Sequence, residues 1–183
     1  MGSATEATFL VATDRGDNPA SAMILETALQ LAREAGARVV LYDRSAESLF
    51  TDPFEAPAWA GGQIPAWEQL LSPPQLRSLG YGYLAEQLTY ARGMGLEAMA
   101  WLPFGSGPAV MARCCAAWHV THVVLPATVA HPSWRARLRG HTLAALQGQL
   151  RGVELLLVDA DGGVHQLTGT QAAPQPARAG ALV

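Results

Sequence analysis

Five short runs dense in apolar and β-favouring residues recur along the chain, each separated from the next by a stretch with helical spacing or turn chemistry. They are 9–13 (FLVAT), 38–42 (RVVLY), 97–102 (EAMAWL), 122–125 (HVVL) and 154–158 (ELLLV). Consecutive apolar residues without polar alternation suit strands covered on both faces, and strands alternating with helices demand right-handed crossovers. The pattern therefore predicts an α/β class: a doubly wound five-stranded parallel sheet with helices on both faces. At roughly 150 residues per domain, 183 residues make one such domain, expected over 1–159. Residues 160–183, rich in Gly, Pro and Ala, are expected to form a flexible C-terminal tail, although 164–168 could add a short strand to a neighbour's edge.

Local signals fill in the helices. Asp14, Arg15, Gly16, Asp17 and Asn18 form a turn cluster after the first run, and Asn18 can cap a helix whose first position is Pro19. Ile24, Ala28, Leu31 and Ala35 line one stripe of that helix, and Gly36 supplies its left-handed stop. Ser72 and Gln75 make a capping box that predicts a second helix running to about Gly93 through Gly80 and Gly82, at a cost of roughly 1 kcal/mol per glycine. Gly107 and Pro108 open a third helix along Val110, Cys114 and Ala117, and Leu143, Leu146 and Leu150 mark a fourth, stopped by Gly152. Residues 44–72, carrying Phe50, Phe54, Trp59 and Trp67, are too long for an idle connection and read as a loop insertion. That loop tucks onto the body, covers a site or meets a second copy.

Composition removes several chemistries. The chain has no lysine, so a phosphate-loop lysine and every Schiff-base mechanism are excluded. With a net charge of −3 and a pI near 5.9, no overall field favours nucleic acid or anionic lipid. No apolar run approaches the ~18 residues of a bilayer crossing and no secretory pattern opens the chain, so a cytoplasmic protein is expected, with neither nucleic acid nor membrane as partner. Cys114 and Cys115 are adjacent, which is poor geometry for a disulfide or a zinc site, and read as core residues. His119 and His122 straddle a helix end and a strand start without a third ligand nearby, so no metal is expected. Ser106 stands in Phe-Gly-Ser-Gly-Pro, which lacks the full frame of a nucleophile elbow, and no catalytic residue is nominated.

Open sheets of this class bind ligands beyond the carboxyl ends of the strands, where the winding reverses. The loops after the first and fourth strands are the candidates. Residues 9–14 (FLVATD), 28–40 (ALQLAREAGARVV), 105–108 and 122–125 together resemble the universal stress protein family, over about 9–159. The resemblance implies a Rossmann-like fold with strand order 3-2-1-4-5, a homodimer through the last strand and, in many members, an adenine nucleotide such as ATP or AMP in the crevice. Asp14 matches the aspartate ending the family's first strand, on the adenosine side of the pocket; an Asx turn or a helix-terminus anion accounts for it equally well. Thr13 and Tyr42 join it as candidate nucleotide-binding residues.

Nucleotide-binding members carry, after strand four, two glycines three positions apart and a third ten further on, followed by Ser or Thr. Here Pro126 and Val129 occupy the first two positions and Gly140 falls one residue late, so only Gly140, His141 and Thr142 fit. Proline has no N–H to donate and valine brings a branched side chain, so a triphosphate cradle of that type is not expected. Gly140, His141 and Thr142 still stand near a helix start that favours anions, preceded by Arg135, Arg137 and Arg139, and Pro126, Arg135, Gly140, His141 and Thr142 complete the candidate nucleotide site. Three readings follow: a non-catalytic stress-response or regulatory module with a reduced or altered nucleotide pocket; an adenine-nucleotide-binding protein or weak nucleotide hydrolase; or a dimeric scaffold without ligand, its crevice filled by side chains such as Tyr42 or Trp134.

Overall fold

The computed structural model describes residues 7–15, 19–44, 71–102, 107–131 and 143–167. The expectations for Asn18, for most of the 44–72 loop, for Ser106, for 132–142 and for the tail beyond 167 lie outside the described residues.

In chain order the elements are β1 (Thr8–Thr13), α1 (Pro19–Glu34), β2 (Arg38–Asp43), α2 (Pro73–Ser78), α3 (Gly82–Gly93), β3 (Ala98–Trp101), α4 (Pro108–Ala117), β4 (His122–Pro126), a 3-10 turn (Ala127–Ala130), α5 (Leu143–Gln149), β5 (Glu154–Val158) and β6 (Val164–Leu167). The strands form one sheet in the order β3-β2-β1-β4-β5-β6, parallel except for the antiparallel pair β5–β6.

Two expectations change. Among the described residues the sheet has six strands rather than five, because Gly162 at φ +86° turns the chain back after β5 and the Asp159 N–H donates to the Gly163 carbonyl at 2.8 Å. β6 thus covers the edge of β5 within the same chain, satisfying backbone groups that an open edge would leave unpaired. The predicted second helix is two helices, α2 and α3, broken where Gly80 takes φ +86°. The capping box at its start is present, with Gln75 Oε1 accepting the Ser72 N–H at 2.9 Å.

The sheet separates two apolar layers by strict alternation along each strand. Phe9, Val11, Val39, Leu41, Ala98 and Ala100 face α1, α2 and α3. Leu10, Val40, Tyr42, Trp101, Val123 and Leu155 face α4 and α5. Many of these side chains are fully buried, each contributing about 1.5–3 kcal/mol relative to exposure. Cys114 and Cys115 are buried in the second layer and form no disulfide among the described residues, and burial pushes the Cys115 thiol up to about 12. Among the described residues no helix is long and apolar enough to cross a membrane.

Candidate functional site

β2 and β4 flank β1 on opposite sides, so the winding reverses between β1 and β4. A cleft of about 610 Å³ opens there at the carboxyl ends of the strands. Its described lining comes from the end of β1 (Ala12, Thr13, Asp14), the first turns of α1 (Ser21, Ile24, Leu25), Arg44 after β2, the segment from Pro126 to His131, and the β5–β6 hairpin (Leu157, Asp159, His165).

Polar side chains from a neighbouring helix fix the β1 flank. Thr13 is nearly buried and its hydroxyl donates to Gln87 Oε1 at 2.9 Å, while Gln87 Nε2 donates to the Asp14 carbonyl at 3.0 Å. One α3 side chain thus holds both residues of the β1 exit. Tyr83, one helical turn before Gln87, donates its hydroxyl to the fully buried Asp43 carboxylate at the end of β2, at 2.5 Å. Burial, with the Asp43 carboxylate adding to it and Arg15 opposing, raises the neighbouring Tyr81 phenol above its usual 10.0. Asp14 itself is exposed at the cleft and accepts from Ser21 Oγ at 3.1 Å, so its carboxylate also ties the loop to the first turn of α1.

The β4 flank is held by apolar packing. Pro126 ends the strand, and the 3-10 turn that follows sets Ala127, Val129 and Ala130 against the second apolar layer. Within the turn the His131 N–H is already bonded to the Thr128 carbonyl at 3.1 Å. Thr128 and His131 are the polar members of this flank that line the cleft.

The third wall is the β5–β6 hairpin. Leu157 pairs with His165 across the ladder, and His165 Nε2 meets Asp159 Oδ2 at 2.6 Å. The tip packs on α1: a Cβ at Gly162 would stand 3.3 Å from Thr27 Oγ1 and 3.8 Å from Met23 Sδ.

Of the residues nominated from sequence, Thr13, Asp14 and Pro126 come together around the cleft. Tyr42 does not: it is wholly buried in the layer facing α4 and α5 and is not part of the cleft lining. Alternation turns position 42 into the same layer as Val40, where it is buried in the cluster that also holds Trp101 and Met111. Arg135, Gly140, His141 and Thr142 are outside the described residues. Sequence reasoning missed Arg44, Ser21, Asp159 and His165. The signal for the last two was the run Asp159-Ala160-Asp161-Gly162-Gly163 between two β-favouring segments, a hairpin pattern. Among the described residues no three His, Cys, Asp or Glu side chains are grouped to hold a metal ion.

The architecture defines an open α/β protein with a crevice at its switch point. No protein-family profile matches the sequence, and no curated protein is significantly similar to it. Its fold is shared with the universal stress proteins. A universal stress protein solved in complex with cAMP superposes with a TM-score of 0.51 at 16% identity, over 85% of this chain and 98% of that one. A protein of the universal stress protein family from Burkholderia pseudomallei, also 16% identical, aligns over 86% of this chain and 98% of its own with a TM-score of 0.44.

Proposed function

We propose that the protein is a universal stress protein-like, non-catalytic regulatory module whose cleft takes an adenine nucleoside bearing at most a short phosphate. The observation that carries this reading is the pairing of an open 610 Å³ cleft at the switch point with a β4 exit unsuited to a polyphosphate. Pro126 offers no N–H, and the residues after it form a 3-10 turn whose Ala127, Val129 and Ala130 side chains pack on the core, so the exit lacks the bare glycine backbone that lets a triphosphate approach closely. Asp14 and Asp159 line the same cleft, and two carboxylates oppose a chain of phosphates while accepting hydrogen bonds from ribose hydroxyls or a base amine. Arg44, on the lining, supplies one cation for a single phosphate. The cAMP complex of a protein with this fold favours the same ligand class.

In this reading Thr13, Asp14 and Pro126 border the ligand, while Arg135, Gly140, His141 and Thr142 are proposed as the remaining contacts. The domain extends over 1–159 with the hairpin appended, and the protein acts in the cytoplasm, the ligand signalling rather than reacting. A homodimer would pair through the outer edge of β6, since β6 occupies the edge of β5.

The test is to denature the purified protein and analyse the supernatant for nucleotide, and to record thermal shifts with ATP, AMP and cAMP. AMP or cAMP should raise the melting temperature more than ATP, because a ligand stabilises the state it binds. Asp14→Ala should change stability little and abolish that shift. Stabilisation led by ATP would overturn the reading.

A further inference from the structure

The β5–β6 hairpin adds to the cleft a carboxylate and an imidazole that are already engaged with each other. Asp159 follows the last residue of β5 and His165 sits in β6 opposite Leu157, so alternation puts 157, 159 and 165 on one side of the sheet. Both side chains line the cleft, Asp159 about half-exposed and His165 more so, with Nε2 and Oδ2 2.6 Å apart. An ionised carboxylate only accepts hydrogen bonds, so Nε2 carries the hydrogen in this contact. The contact occupies Oδ2 and fixes the carboxylate's orientation. Of the two oxygens of this cleft-lining residue, Oδ1 is the one left to accept from a ligand. Asp14 stands at the other side, two strands away in the order β1-β4-β5, which is roughly 10 Å at about 4.8 Å per strand spacing. A ligand spanning that gap meets an acceptor at each end.

We infer that Asp159, held in place by His165, selects the ligand of this cleft by accepting a hydrogen bond from one of its donor groups, either a base amine or a ribose hydroxyl. The inference rests on the proposed nucleoside-binding reading and extends it to a wall that sequence reasoning did not nominate. Asp159 is the contact residue. His165 is a positioning residue that acts through it.

The experiment is calorimetric titration of the full chain with AMP, with IMP, in which a carbonyl replaces the amine, and with 2′,3′-dideoxy-AMP, which lacks both hydroxyls. The wild-type protein should bind AMP about tenfold or more tightly than one of the two analogues, as loss of a hydrogen bond to a charged acceptor requires. Asp159→Asn, nearly isosteric, should collapse that ratio towards one. His165→Ala should reduce it, and His165→Gln, which keeps an N–H donor, should largely restore it. Circular dichroism identifies a variant that fails to fold, in which case Asp159→Ser carries the same comparison. If the wild type binds AMP and Asp159→Asn leaves both analogue ratios unchanged, the inference falls and the cleft reading stands. If the wild type binds none of the three, both fall.

Discussion

The two sides of the crevice are built by opposite physics. The β1 side is held by directional bonds: Gln87 grips Thr13 and Asp14, and Tyr83 grips Asp43. The β4 side is held by non-directional packing of Ala127, Val129 and Ala130 on the core. The difference bears on ligand chemistry. In the proposed reading the polar brace holds Asp14 in place, as hydrogen-bond recognition needs, whereas the turn packed on apolar neighbours contributes shape.

The comparison can be broken most severely from the apolar layer on which the β4 side packs, to which Leu157 of β5 also belongs. Leu157 both lines the cleft and is buried in the second layer, so Leu157→Ala should cost about 2–5 kcal/mol, read as a lowered denaturant midpoint. A loss well below that range would mean the wall collapses easily and is not a packed support. On the polar side, Gln87→Ala removes two hydrogen bonds and should cost about 1–3 kcal/mol. The same change should weaken AMP binding as much as a direct contact would, because Asp14 loses its anchored backbone; unchanged binding would show that the brace serves stability alone.

A gain of function sharpens the contrast. Replacing Pro126 and Val129 together by Gly frees an amide and removes a branched side chain, at a stability cost of roughly 1–2 kcal/mol. The double variant should show a larger ATP-induced rise in melting temperature than the wild type; an equal rise would clear the β4 exit as the obstacle.

The last effect is confined to alkaline pH. The folded state holds the Cys115 proton up to about 12, above the thiol's reference value of 9.0, so between those values the folded protein binds more protons than the unfolded chain and stability falls as pH rises. Tyr81, raised from 10.0, acts in the same sense from the polar side. Melting curves of Cys115→Ala and Tyr81→Phe across this range should each be flatter than wild type, and their relative flattening divides the alkaline loss between the two regions. A Cys115→Ala curve parallel to wild type would remove the thiol from the account.

Much of this was legible in the residues. The run at 154–158 matches β5 residue for residue, Gly36 ends α1 at φ +59°, and Cys114 and Cys115 are buried. The glycines at 80 and 82 were read as tolerated within one helix, whereas Gly80 adopts a conformation that ends it, because propensity measures a penalty and not the choice the chain makes to avoid it. Tyr42 is wholly buried and lies outside the cleft's described lining, since the apolar run 38–42 does not itself tell a strand-end residue that faces a crevice from one that packs in the core. Gln87 looked like an ordinary polar residue on a helix; only docking of α3 over the β1 and β2 exits turns it towards Thr13.

Sequence by itself determined the alternation of strands and helices, the two-layer core and the missing N–H of Pro126, since these depend on hydrophobic period and on one residue's covalent chemistry. The tertiary structure alone decided which polar groups share the cleft. Asp14 and Asp159 are far apart along the chain and meet its two sides only because β4 pairs between β1 and β5, and pairing of that kind is set by the whole packed sheet, which no local window contains.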